Sequence, residues 1–286
     1  MTGRYPVRLG LWDESEDTAE LPLSEATLAQ ELKSAGYRTY MVGKWHLGMS
    51  TSAHWPTSRG FDYFYGHMTD SIDYWTKETS DGYLDLQNGN ALETSNSQLS
   101  SEKHNVYIFE EKVEFLVEHH AEYHADTPMF LYYSLQLMQG SGSYSVPDTY
   151  TSRCEYPSAE YIPDDAEQLV EYQYCGMSVM LDEAIANLTC TLEANGMKNN
   201  TLIVITSDNG GDAAIRGNNY PFLGSKGDHY RGGLSVAALL HGTVIPESSR
   251  GSTYEGQAHV TGEREASPAP ACYISFHSIL SPIIVI

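Results

Sequence analysis

Thr201-Leu-Ile-Val-Ile-Thr-Ser-Asp-Asn-Gly-Gly211 is a short apolar run that stops at a polar turn. The five apolar or β-branched residues from Thr201 to Ile205 are bounded by turn residues, the pattern of a fully buried strand in a parallel sheet. Ligands of such sheets bind beyond the carboxyl ends of the strands. Asp208 and Asn209 stand there, and their carboxylate and amide oxygens are hard ligands suited to Ca²⁺ or Mg²⁺. Gly210 and Gly211 are expected to turn the backbone away through angles closed to other residues. Taken alone, the stretch is better read as an Asx-Gly turn that merely ends a strand, because such turns are common.

Working outward, helices alternate with strands. Ser24 is placed as a helix N-cap with Glu25 in the first turn, Leu28, Leu32 and Ala35 at helical spacing, and Gly36 to end the helix. Tyr37 to Val42 reads as a strand running into Gly43-Lys44-Trp45-His46-Leu47-Gly48. Residues 79–101 read as an exposed polar excursion. Asn105 to His120 is a helix with Val106, Phe109, Val113, Leu116 and Val117 on one face, and Met129 to Leu135 a buried strand. A long helix covers 166–194, with Leu181, Ile185, Leu188 and Leu192 at spacings of four, three and four. Leu234 to Leu240 supplies another strand. Alternation of this kind implies an α/β fold with a mostly parallel central sheet and helices on both faces.

The chain has 286 residues, enough for a substantial core. A net charge of −22, from 38 acidic and 16 basic residues, argues against nucleic acid and anionic membrane surfaces as partners. Any anionic substrate must then meet a local cluster of the few cations, so a lysine near a motif carries weight. No apolar run approaches the ~20 residues of a membrane span. Cys154, Cys175, Cys190 and Cys272 have no close metal-type spacing and leave the redox compartment open. Asn187-Leu-Thr189 and Asn199-Asn-Thr201 are glycosylation acceptors if the chain is secreted. The first residues have no apolar core of a signal peptide, so secretion implies a start further upstream.

Three separated stretches point to one family. They are Gly36-Tyr37-Arg-Thr39-Tyr-Met-Val-Gly43-Lys44-Trp45-His46-Leu47-Gly48; Pro56-Thr-x-Arg59-Gly60-Phe61-Asp62 with Tyr65-Gly66; and Ser207-Asp208-Asn209-Gly210-Gly211 followed by Asn218 to Lys226 and Arg231-Gly-Gly233. In order and spacing they closely resemble the sulfatase family, nearest its arylsulfatase B-like members, over about residues 2–262. The resemblance implies an alkaline-phosphatase-like fold and hydrolysis of sulfate esters, either aryl sulfates or sulfated glycosaminoglycans such as N-acetylgalactosamine-4-sulfate units. It implies a nucleophilic formylglycine, installed by the formylglycine-generating enzyme, and one Ca²⁺ that polarises the sulfate. Carried over by position, Asp208 and Asn209 are Ca²⁺ ligands, Lys44 and His46 contact the formylglycine hydrate, and Lys226 contacts the sulfate and leaving group. A lysosomal or secreted location follows for the full-length protein.

Several departures set limits on this. The nucleophile motif, a cysteine followed by Pro-Ser-Arg, is expected just upstream of Met1, on a strand that also brings an Asp-Asp pair of Ca²⁺ ligands. None of the four cysteines present has that context. Gln139 stands where the family has a histidine that serves the leaving group, and glutamine cannot transfer a proton at neutral pH. Residues 1–262 are therefore expected to form a partial catalytic domain, and 263–286 a non-family tail that is linker-like and then apolar. Without the upstream strand, Tyr40–Val42 and Leu202–Ile205 are expected to lack full pairing, and Ca²⁺ binding to be poor. Two other readings are an inactive remnant that at most binds anions, and a phosphate-ester hydrolase of the same fold.

Overall fold

The strands Arg38–Lys44, Tyr63–His67 and Met129–Ser134 alternate their side chains between two apolar layers, and that alternation sets the architecture. In the computed structural model, residues 1–4, 6–11, 20–139, 145–154, 165–213, 217–253 and 280–285 are described. The strands are β1 (Arg38–Lys44), β2 (Tyr63–His67), β3 (Gln87–Asn88), β4 (Ala91–Leu92), β5 (Met129–Ser134), β6 (Leu202–Asn209), β7 (Ala238–Gly242) and β8 (Leu280–Val285). They form one sheet in the order β4-β3-β2-β1-β5-β8-β6-β7. Strand β1 pairs in parallel with β2 and with β5. Because β8 is antiparallel to both β5 and β6, those two run in the same direction as well. The carboxyl ends of β1, β2, β5 and β6 therefore share one edge of the sheet, where ligands of such folds bind.

Helix α1 (Leu28–Ser34) covers one face, on which Ala29 packs with Met41, Phe64 and Phe130. Helices α2 (Asn105–Tyr123) and α3 (Asp165–Ala194) cover the other, against Tyr40, Val42, Tyr65, Leu131 and Tyr133. All five apolar residues expected on the buried face of α2 are buried. In α3, Leu181, Leu188 and Leu192 are buried and Ile185 partly so. Fully burying each such side chain stabilises the fold by ~1.5–3 kcal/mol.

Local chemistry corrects several sequence expectations. The cap of α1 is Thr27, not Ser24. Thr27 Oγ1 accepts from Gln30 N at 3.1 Å while Gln30 Oε1 accepts from Thr27 N at 2.9 Å, a reciprocal capping box. Its buried face is consequently led by Ala29, and Leu28 is exposed. Leu234 closes a helical turn over Arg231–Leu234, so the strand begins only at Ala238. The 79–101 excursion is anchored, since β3 extends the sheet from β2 and Leu86, Asp85 and Glu93 are buried. Neighbouring Lys77 is fully buried, its ammonium donating to the carbonyls of Trp75, Ser100 and Lys103.

The expected pairing defect does not occur. Strand β1 has a partner on each side, and β6 lies between β7 and β8. The apolar C-terminal segment supplies the missing ladder, pairing Tyr132–Ser134 of β5 on one side and Val204–Asn209 of β6 on the other. The linker-like stretch and the boundary near residue 262 lie outside the described residues.

Cys154 and Cys175 are joined in a disulfide between the 148–151 turn and α3, while Cys190 is a free thiol. The α2–α3 seam is acidic. Desolvation raises Glu110 to about 7, and Glu114 and Glu183 push it the same way, against a hydrogen bond from Asn187. An acid whose folded pKa lies above its unfolded value costs stability as pH rises through that window, here about 4.5 to 7. The protein is expected to melt higher at pH 5 than at pH 7.5. Glu110→Gln should reduce that difference, by an amount on the order of 1 kcal/mol, as read by melts at the two pH values.

Candidate active site

Two glycines bring the strand ends close enough to build a site. A Cβ on Gly43 would sit 1.8 Å from the Ser134 carbonyl oxygen, and one on Gly66 would sit 1.9 Å from the Gly43 carbonyl oxygen. Side chains at either position would wedge β1 away from its neighbours. Lys44 follows as the last residue of β1, inside the strand rather than in the loop after it. His46 lies two residues on, with a left-handed φ of 49°.

The Lys44 ammonium donates to Asp70 Oδ1 at 2.5 Å and reaches Gln139 Oε1 at 3.5 Å. Gln139 Nε2 donates to the same Asp70 oxygen at 2.9 Å, and His46 Nδ1 stands 3.4 Å from it. The Lys44 side chain is 11% exposed, whereas those of His46 and Asp70 are each 51% exposed. Desolvation would raise the Asp70 carboxyl, but the charge and hydrogen bond of Lys44 outweigh it and hold it down at about 2. Asp70 went unnoticed in the sequence. It lies in none of the motifs, and only the fold brings the loop after β2 over the end of β1.

At the end of β6, the strand runs through Asp208 and Asn209 rather than stopping before them. Asp208 is an exposed residue, yet desolvation of its carboxyl at the strand end raises it to about 6, against the pull of Lys44 and Lys226. Lys44 and Lys226 are thus both close enough to act on one carboxylate. Asn209 Nδ2 donates to Gly210 O at 2.8 Å, which leaves its amide oxygen as the candidate ligand atom.

Gly210 and Gly211 do not take left-handed angles, contrary to the expectation. They are required for close approach: a Cβ on Gly210 would fall 1.8 Å from the Gly232 carbonyl oxygen, and Gly210 N donates to Gly233 O at 2.9 Å. Gly210 therefore packs backbone to backbone on Gly232 and Gly233, while Gly211 lies against Gly217 and Asn219. Lys226 N donates to Gly211 O at 3.1 Å, and Asn219 brackets Gly211 with hydrogen bonds of 2.7 Å to its N–H and its carbonyl. Asn219 is a second residue the sequence did not single out, and it ties the Lys226 loop to the Asp208 turn.

Lys44, His46 and Gln139 thus meet at Asp70 beyond the end of β1, and the Lys226 loop is tied to Gly211, just after Asp208 and Asn209. The sequence model of the family described as Sulfatase matches residues 1–260. The chain belongs to the sulfatase family. It is 33% identical over 269 residues to arylsulfatase J of Mus musculus, covering 91% of this chain and 42% of that protein. It is 27% identical over 261 residues to N-acetylgalactosamine-6-sulfatase of Rattus norvegicus, covering 84% and 45%. Among solved structures, that of Ps i-CgsB superposes with a TM-score of 0.69 at 25% identity, covering 85% of this chain and 53% of that one. The α/β fold with a central sheet is therefore the fold of this sulfatase chain. The chain spans less than half the length of the two curated relatives.

Among the described residues, no group of three or more His, Cys, Asp or Glu is close enough to hold a metal ion, and no helix is long and apolar enough to cross a membrane. The glycosylation candidates differ in setting. Asn187 lies within α3 and bonds Glu110, whereas Asn199 is exposed in the short turn before β6.

Proposed function

We propose that this chain carries the anion-binding half of a sulfuric ester hydrolase acting on aryl sulfates or sulfated glycosaminoglycans. The observation that carries the reading is that Lys44 ends β1 and Lys226 sits in a loop bonded to Gly211 just after β6, so that both act on the Asp208 carboxylate at the shared strand edge. In a protein of net charge −22, two lysines at one strand edge mark it for an anion. Lys44 and Lys226 offset the charge that builds on the sulfate and leaving oxygens, and His46 donates or accepts a hydrogen bond beside them. Gln139 orients the leaving oxygen by hydrogen bonding but passes it no proton.

Asp208 and Asn209 fit a Ca²⁺ ion as two of its ligands, since an acid pushed up to about 6 gains by meeting a cation. Ca²⁺ usually takes about 6–8 oxygens, so these two residues alone do not complete a site. When bound with its full ligand set, the ion would supply Lewis-acid polarisation of the sulfate. No cysteine among these 286 residues precedes Pro-Ser-Arg, so they hold no formylglycine position of the expected form. By themselves they are expected to turn over no aryl sulfate. Turnover should return when a relative's nucleophile segment and C-terminal domain are joined on and formylglycine is installed. No return in the completed protein would favour the inactive-remnant reading.

We place the full-length protein in the secretory pathway, lysosomal or secreted. The Cys154–Cys175 disulfide supports an oxidising compartment. Asn199 is the better acceptor, since a glycan on Asn187 would break its bond to Glu110 between two helices. When secreted behind a signal peptide, the chain should show one glycosidase-sensitive gel shift, lost in Asn199→Gln and kept in Asn187→Gln. The opposite pattern would place the glycan on α3.

A further inference from the structure

Three polar groups converge on one oxygen of Asp70: the Lys44 ammonium and the Gln139 amide donate to it at 2.5 and 2.9 Å, and His46 Nδ1 stands 3.4 Å away. Such a set suits an oxygen of any small anion, sulfate included. Its three members are the residues that the proposed function assigns to sulfate chemistry, yet here a side chain of the protein occupies the seat.

A neighbouring carboxylate shows what a purely structural one looks like in this loop. Asp85 is 6% exposed and uses both oxygens, accepting from Met68 N, Thr69 N and Thr69 Oγ1 at 2.6–3.1 Å. It fixes the backbone just before Asp70. Asp70, by contrast, is half exposed, and among the described residues its Oδ2 takes no hydrogen bond. With half of its side chain exposed, the Asp70 carboxylate can exchange these partners for water. Rotation about the Asp70 side-chain bonds, with the backbone left in place, would vacate the seat.

We propose that Asp70 is a built-in anion seated on Lys44, His46 and Gln139, which a sulfate group must displace in order to bind. The proposal rests on the reading of Lys44 and His46 as an anion cradle. It makes Asp70 a determinant of affinity rather than a catalytic residue. Its charge lowers the attraction of the cleft for every anion, and more so for weakly held ones.

The test is calorimetric titration of the 286-residue chain with inorganic sulfate at pH 7, with chloride balancing ionic strength. Asp70→Asn and Asp70→Ala are expected to bind sulfate about ten-fold more tightly than the parent, the screened remainder of a close like-charge repulsion. Lys44→Met in the Asp70→Asn background should abolish the gain. Unchanged or weaker sulfate binding by both natively melting variants overturns the proposal and makes Asp70 a positioning group. No sulfate binding by the parent or either variant overturns it together with the cradle reading beneath it. Independently of any variant, a sulfate-soaked crystal of the parent chain should show sulfate beside Lys44 and the Asp70 carboxylate turned away. Sulfate bound with Asp70 still on Lys44 would also overturn the proposal.

Discussion

Ending the chain at residue 279 is expected to abolish its cooperative melt. Strand β8 is the central ladder between β5 and β6, not an appendage. Without it, the edges of Tyr132–Ser134 and Val204–Asn209 lose their partners inside the sheet. Each buried backbone group left unsatisfied costs ~1–3 kcal/mol, and several such losses exceed the ~5–15 kcal/mol of net stability typical of a domain. The truncated chain should bind hydrophobic dyes and lose its near-ultraviolet dichroism. A sharp melt within a few degrees of the parent would show that β8 is dispensable.

The second large effect concerns Gln139. In a protein completed with formylglycine and the missing segments, Gln139→His is expected to raise turnover of sugar sulfates by about 10²-fold, the lower end of what a general acid contributes. The geometry permits this, because Gln139 already lies 2.9 Å from Asp70 and 3.5 Å from Lys44 within the site. The gain should shrink on activated aryl sulfates, whose departing oxygen hardly needs a proton. Equal rates on a sugar sulfate would mean that another residue supplies the proton.

The parts of the fold governed by periodicity were legible in the sequence. Helices α2 and α3 declare themselves through apolar spacing, and β5 and β6 through short apolar runs, since burial on a repeating face dictates residue type directly. Lys44, His46, Asp208, Asn209 and Lys226 were singled out through motif resemblance, and Lys44 and Lys226 both act electrostatically on Asp208. What escaped the sequence depends on contacts between distant segments. Gly210 and Gly211 were read as turn glycines, but the constraint on Gly210 comes from the backbone of Gly232 and Gly233, and that on Gly211 from Gly217 and Asn219. The anchoring of 79–101 rests on pairing with β2 and on three carbonyls gathered by Lys77. Leu280–Val285 was read as the apolar end of a non-family tail because an apolar β-rich segment reads the same whether it pairs within its own sheet or with another chain. Asp70 carries no motif, and its role appears only where the loop after β2 meets the end of β1.

The most direct test compares sulfate and phosphate monoesters of one aryl alcohol, such as 4-methylumbelliferone, as substrates of the completed, formylglycine-bearing protein. Hydrolysis of the sulfate in excess of the phosphate, lost in Lys44→Met and in Lys226→Met, is the result expected of a sulfuric ester hydrolase built on this site. Faster hydrolysis of the phosphate, or sulfate turnover indifferent to both lysines, would contradict it.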